Sequence, residues 1–339
     1  MKTSWYATIL ACLALLGVSL VNAPARAEKP KTLGSIERVD PAFDKLVPKD
    51  AVIEVLADGF EWSEGPVWIA KGGYLLFSDI PNNRINKWDG KTISSYLEKS
   101  GYTGSAPFTG MEPGCNGLAL DKEGYLHLCC HGDRAVKRIG ADGKAVVLVD
   151  KFNGKRLNSP NDLVFKKNGD IYFTDPPYGL PKQWDDAGRE LEFCGVYRLS
   201  KGKLTALTDS MTRPNGLAFS PDEKFLYVAQ SDPKAAIWKK FPVKEDGTLG
   251  EGKVFFDSTE WVGKQKGLPD GLKVDQAGNV WATGPGGVIV FSPEGKVLGK
   301  LLTGEATANC AWGDDGSTLY ITADMYLCKV KTTAKGVGF

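Results

Sequence analysis

Six times along the chain, a start that is polar in five of the copies is followed by apolar positions at +2 and +4 and a turn with Gly or Asp near +6 to +8. A second apolar strand comes at about +10 to +12. The copies are EGPVWIAKGGYLLFSD from Glu64, NGLALDKEGYLHLCC from Asn116, NDLVFKKNGDIYFTD from Asn161, NGLAFSPDEKFLYVAQ from Asn215, DGLKVDQAGNVWATG from Asp270 and ANCAWGDDGSTLYITA from Ala308. Their starts lie 52, 45, 54, 55 and 38 residues apart. Units of this length, each built from period-2 strands and Gly-rich tight turns, are the blades of a β-propeller. Between the copies, RINKWDGKTISSYL from Arg84, AVKRIGADGKAVVLVD from Ala135, GVYRLSKGKLTALT from Gly195 and GVIVFSPEGKVLGKL from Gly287 read as hairpins that supply two outer strands. The sequence therefore predicts an all-β fold, a six-bladed β-propeller with four-stranded blades around a central channel.

The segment AVIEVLADG, Ala51 to Gly59, is a spare strand ahead of the first copy. Paired with the last blade it closes the ring and removes exposed sheet edges. Residues 51–339 are thus read as one propeller domain and 28–50 as an N-terminal arm with three prolines, Pro30, Pro41 and Pro48. Helical turns are expected only at Pro41 to Leu46 and around Trp184 to Arg189.

Residues 1–27 are set apart as a secretory signal: Lys2 in the n-region, an apolar core from Ile9 to Val21 and a small-residue cleavage site at Ala25-Arg26-Ala27. An exported protein, periplasmic or secreted, is the expectation. The alternative of a lipid anchor at Cys12 leaves a short apolar run before the cysteine. Net charge is +1, from 42 basic and 41 acidic residues without a basic cluster. Nucleic acid and anionic membranes are therefore poor partners, and small molecules are favoured. Six cysteines remain after the signal, Cys115, Cys129, Cys130, Cys194, Cys310 and Cys328. One or two structural disulfides are expected in an oxidising compartment, with no means of choosing among 15 pairings. With no CxxC and only His127 and His131 as histidines, a zinc site is not expected from these residues.

In a propeller the innermost strands line the channel, so Glu64, Asn116, Asn161, Asn215 and Asp270 converge at one mouth. Two carboxylates and three amide oxygens suit a hard divalent cation such as Ca²⁺. Any single Asn-Gly is an ordinary turn former; recurrence in register across five of six units points to a site. A G-x-S-x-G elbow is absent from the sequence, and TGPGG at Thr283 to Gly287 lacks the Lys-Ser/Thr of a phosphate loop.

SEGPVW at Ser63 to Trp68, SPND at Ser159 to Asp162 followed by YFTDPPYG, RPNGLAFSPD at Arg213 to Asp222 and LPDGLKVDQAGNVW at Leu268 to Trp281 together resemble the gluconolactonase and senescence-marker-protein family, also called luciferin-regenerating-enzyme-like. The resemblance spans nearly the whole chain after the signal. It implies a six-bladed propeller with one divalent cation, usually Ca²⁺ and in some members Zn²⁺, Mn²⁺ or others, that hydrolyses sugar lactones to aldonic acids. The family's ligand pattern falls on Glu64, Asn161, Asn215 and Asp270. Asn116 is then expected to line the pocket. Some animal members hold substrate with an Arg two residues before the Asn; Ser159 stands there here, so Arg156 is the candidate replacement.

Asp270 is the candidate catalytic base, a carboxylate kept ionised beside a cation. His131 and Tyr178 are candidate substrate contacts, with Trp184 beside Tyr178 in a loop over the channel mouth. Asp162 and Asp175 are candidates for orienting the ligands. Two other functions stay open from sequence: hydrolysis of other esters or phosphotriesters on the same cation, and a non-catalytic Ca²⁺-binding propeller that binds a partner.

Overall fold

The structure, a computed structural model, describes residues 30–339; the signal segment lies outside the described residues. Six antiparallel blade sheets of four or five strands follow one another along the described chain, with one two-stranded hairpin between the second and third. From inside to outside, the first blade is Ser63–Ile69, Tyr74–Asp79, Arg84–Trp88 and Ile93–Glu98, and the second is Cys115–Leu120, Leu126–Cys130, Ala135–Ile139 and Ala145–Val149. The third runs Leu163–Phe165, Ile171–Asp175, Gly195–Ser200 and Lys203–Thr208; the fourth Pro214–Phe219, Phe225–Asp232, Ala235–Pro242 and Lys253–Asp257. The fifth begins with Leu272–Val274, Val280–Gly284, Gly287–Phe291 and Val297–Leu302. The sixth takes Thr307–Gly313, Thr318–Ala323 and Tyr326–Lys331 from the end of the chain and its outer strand, Glu54–Asp58, from the beginning.

The ring closes as the spare strand predicts, with Val55 opposite Cys328 and Asp58 opposite Tyr326. Ser63 completes the closure: its Oγ donates to the carbonyls of Asp324 (2.8 Å) and Tyr326 (3.0 Å). The arm does more than link. Ser35–Arg38 pairs with Val297–Leu302 as a fifth strand on the fifth blade, and the short 3₁₀ turn Pro41–Lys45 buries Phe43 under the last two blades. Single 3₁₀ turns also form at Gln183–Asp185, inside the expected loop, and at Thr259–Trp261. No helix among the described residues is long and apolar enough to cross a membrane.

The core is divided into six wedges, one between each pair of neighbouring blades. In the second strand of the first blade, Leu75 and Phe77 pack toward Tyr320 and Leu327 of the sixth blade. Leu76, between them, packs toward Leu118, Leu128 and Cys130 of the second. Because both faces of such a strand are buried, it reads as a nearly continuous apolar run.

The same alternation corrects the disulfide expectation. All six cysteines are buried free thiols. Cys129 faces the third blade while its neighbour Cys130 faces the first. Cys115 and Cys130 do lie opposite each other in register, yet Cys115 Sγ sits 3.3 Å from Ser78 Oγ and Cys130 Sγ points to the Ser100 carbonyl. These thiols fill the inter-blade wedges as small apolar side chains.

Candidate active site at the channel mouth

Each polar start opens an innermost strand, and in the first, second and fourth blades the register slips there. Glu64 pairs with Ser78 but Val67 with Leu76; Cys115 pairs with Cys130 but Leu118 with Leu128; Pro214 pairs with Gln230 but Leu217 with Val228. These bulges turn Glu64, Asn116 and Asn215 out of the pleat and toward the axis.

The residue after each polar start explains the recurring glycine. A Cβ on Gly65 would fall 2.0 Å from the Asn116 carbonyl oxygen, on Gly117 2.7 Å from Asp162 Cα, and on Gly216 2.4 Å from the Asp270 carbonyl oxygen. There is no room for a full circle of side chains at this level. Two blades on opposite sides of the ring supply the exceptions, Asp162 in the third and Asn309 in the sixth, and their side chains meet at the axis. Asn309 Nδ2 donates to Glu64 Oε2 (3.0 Å) and reaches Asp162 Oδ2 at 3.5 Å. Its Oδ1 accepts from the Cys310 amide (2.9 Å) and lies 3.4 Å from Lys273 Nζ. A floor of Asp162, Asn309 and Lys273 thus underlies the ring. Ring starts are also joined directly, Gly117 N–H to the Asn161 carbonyl and Gly271 N–H to the Ala308 carbonyl.

Above that floor, a cavity of about 420 Å³ is lined by Glu64, Asn116, Asn161, Asn215 and Asp270, together with Tyr178 and Glu112. The buried oxygens Asn116 Oδ1, Asn161 Oδ1 and Asp270 Oδ1 have no hydrogen-bond partner among the described residues. Such orphaned acceptors are costly unless something outside the protein satisfies them. Asn215 is oriented by a relay in which its Nδ2 donates to Ser231 Oγ (2.8 Å) and that hydroxyl donates to the Pro269 carbonyl (2.6 Å). This leaves the amide oxygen free to face the ring. Glu64 Oε2 is held by the Gly65 and Asn309 N–H groups.

The donor set is entirely oxygen, with two carboxylates, and fits a hard divalent cation. A group of three or more His, Cys, Asp or Glu placed to hold a metal is absent among the described residues, as expected where amides complete the set.

Electrostatics agree with that reading. Burial, and then repulsion from Asp162, pushes Glu64 from 4.5 up to about 7. Burial, then Glu64 and Asp162, holds Asp270 well above its ordinary value. Asp162 is raised by burial as well. Three acids without a compensating cation are thus pushed toward their neutral forms.

A sign follows for stability. Glu64's folded value lies above its unfolded one, so its contribution is full below pH 4.5 and lost as pH rises through about 7. The protein stripped of divalent cations is expected to melt at progressively lower temperature from pH 4.5 to 7.5, and saturating Ca²⁺ to flatten that slope. A stripped protein whose melting temperature is flat or rising over this range contradicts the electrostatic picture.

Asp175 retains part of the dependence in either state, since burial also pushes it to about 7 and it does not line the cavity. Its Oδ2 accepts from the Asn158 amide (2.8 Å), three residues ahead of Asn161, which pins the loop carrying that residue.

The other sequence candidates fall in different places. Tyr178 lines the cavity, braced edge-to-face by Trp184 at 5.2 Å, and Trp184 itself packs under the Arg213 guanidinium at 4.3 Å. Trp184 therefore supports the wall without forming it. Arg156 is not in the cavity lining: it is exposed on a two-residue hairpin strand outside the ring, its Nη2 donating to the Asp133 carbonyl at 3.3 Å. His131 is not in the lining either; it is completely buried, with Nδ1 3.0 Å from Glu112 Oε2.

Asn309, Lys273 and Glu112 were missed from sequence. For Asn309 a signal existed: Asp162 and Asn309 break the glycine that follows every other ring start. Glu112 sits in an aperiodic loop, where pattern offers nothing.

Comparison with known proteins places these features in context. The family model for the SMP-30/Gluconolactonase/LRE-like region matches residues 62–324. A gluconolactonase of Zymomonas mobilis is 37% identical over 97% of this chain and 96% of its own length. A pentonolactonase of Haloferax volcanii is 24% identical over 80% of this chain and 84% of its own. Among solved structures, a gluconolactonase from Xanthomonas campestris superimposes with a TM-score of 0.78 at 34% identity, covering 91% of this chain and 99% of that one.

Proposed function

From the chain's membership of the SMP-30/gluconolactonase/LRE-like family, we propose that it hydrolyses sugar lactones to aldonic acids with a divalent cation, Ca²⁺ by its oxygen donors, held by Glu64, Asn161, Asn215 and Asp270. The observation that carries the cation is the set of buried, unpartnered oxygens around the cavity. The lactone substrate is supported by the two lactonase relatives, one matched almost end to end.

A bound divalent cation supplies Lewis acidity, polarising the lactone carbonyl and making a bound water more acidic. Asp270 is partly exposed to the cavity and takes the proton of the attacking water. As the water oxygen bonds to the carbonyl carbon and the ring C–O bond breaks, that proton passes to the departing ring oxygen, which becomes the hydroxyl of the aldonic acid. Glu64, clamped by Asn309, anchors. Asn161 and Asn215 add oxygens without adding charge, so the site stays electrophilic.

Asn116 borders the cavity with a free oxygen, placed for substrate. Export with removal of residues 1–27 belongs to the same reading, supported by the signal pattern alone.

The test is a panel of aldono-1,4- and 1,5-lactones, aryl esters and phosphotriesters, followed by acid release. Turnover of aldonolactones well above the other two classes is expected. Turnover confined to esters or phosphotriesters overturns the reading.

A further inference from the structure

The cavity contains a carboxylate that the ring does not use. Glu112 lies in the loop between the first blade, ending at Glu98, and the second, beginning at Cys115. It lines the cavity with about a quarter of its side chain exposed (24%), near enough for its charge to act on Asp270 and Tyr178. Its Oε2 is 3.0 Å from Nδ1 of the fully buried His131.

His131 is itself fixed from three directions. Its amide donates to the Gly114 carbonyl (3.1 Å), two residues from Glu112, and its carbonyl accepts from the Arg134 amide (3.1 Å). Gly179 packs against it so closely that a Cβ there would fall 2.6 Å from His131 Cβ. Gly179 N–H in turn donates to Ser159 Oγ (2.9 Å), two residues before Asn161. These backbone and Cβ contacts join the His131 segment to the loops carrying Glu112, Tyr178 and Asn161, and its Nδ1 faces Glu112 at ion-pair distance, with neither ring nitrogen hydrogen-bonded among the described residues. A carboxylate on an open cavity, backed at 3.0 Å by a buried imidazole, can accept hydrogen bonds from hydroxyl groups.

Ser231 is already occupied by Asn215 and Pro269, and the oxygens of Glu64, Asn161, Asn215 and Asp270 by the proposed cation. We propose that Glu112, positioned by His131, accepts hydrogen bonds from substrate hydroxyls and selects polyhydroxylated lactones over unsubstituted ones. This rests on the lactonase reading above. His131 is a positioning residue, buried behind Glu112 and out of reach of the substrate.

The experiment compares glucono-1,5-lactone with δ-valerolactone, which has the same ring and no hydroxyls, using the full-length protein with its cation. A hydrogen bond to a charged group is worth about 1.5–3 kcal/mol, or on the order of 10- to 100-fold. Glu112→Gln is expected to lower kcat/KM for gluconolactone by that factor, mainly through KM, and to leave δ-valerolactone within about twofold. His131→Asn is expected to lower the same selectivity ratio with a smaller KM effect. Loss shared equally by both lactones in a variant that melts like the wild type, or no loss on either, overturns the inference. If Glu112→Gln fails to fold, Glu112→Asp, which keeps the charge and shortens its reach, is read the same way. A wild-type protein that hydrolyses neither lactone overturns the lactonase reading instead, and this inference with it.

Discussion

Replacing Asp270 by Asn is expected to lower kcat on an aldonolactone by on the order of 10²- to 10⁴-fold, the range associated with removing a general base, without loss of folded structure. Asn keeps the size of the side chain and one oxygen for a cation, and removes only the capacity to take a proton. The effect on stability has the opposite sign. Asp270 stands among Glu64 and Asp162, and burial plus those two charges hold its pKa well above normal. In the stripped protein at pH 8, removing one of three crowded charges is expected to raise the melting temperature. An inactive variant that melts higher than the wild type separates catalysis from scaffolding, because a residue whose part was structural loses stability first. Retention of full turnover by Asp270→Asn excludes the proposed base.

Removing the divalent cation is expected to have the second large effect, abolishing lactone turnover and lowering the melting temperature together. A ligand present at 100 times its Kd stabilises the folded state by about 2.7 kcal/mol. For a chain somewhat larger than the 150–250 residues for which roughly 2–4 °C per kcal/mol applies, the shift is on the order of 5 °C. The shift is expected to be larger at pH 8 than at pH 5, since the ring carboxylates must ionise to bind and Glu64 titrates near 7. Turnover unaffected by exhaustive chelation rules the cation out of the reaction.

How much of this was legible in the chain depends on which forces repeat. The blades were visible because every inner strand carries the same period-2 apolar pattern and tight turn, and the closing strand Glu54–Asp58 because it had no hairpin partner of its own. The polar starts were visible because they recur in register. The arm strand Ser35–Arg38 was not, since SIER alternates too briefly to announce a pairing and gains its place only from the fifth blade's free edge.

The floor of the site was half visible. In the sixth copy the polar residue is Asn309, one position after the aligned start Ala308, and its importance comes from steric exclusion at the axis, which no linear pattern encodes. Arg156 was drawn in by proximity to Ser159 in sequence, but the hairpin at Lys151–Phe152 and Lys155–Arg156 carries it outward. The cysteines were misjudged for a similar reason. Their even count suggested pairs, whereas alternation along each strand sends neighbours such as Cys129 and Cys130 into different wedges. Glu112 depends on a loop folding back against His131, a contact made only in three dimensions.

The central claim is that one divalent cation sits on the ring and serves lactone hydrolysis. The most direct test is a crystal of the protein grown with Mn²⁺ as an anomalous probe, from a preparation whose gluconolactone turnover Mn²⁺ restores after chelation. The account predicts a single strong anomalous peak in contact with Glu64, Asn161, Asn215 and Asp270. A restored, active preparation with no peak at those four side chains, or with its peak elsewhere, contradicts it.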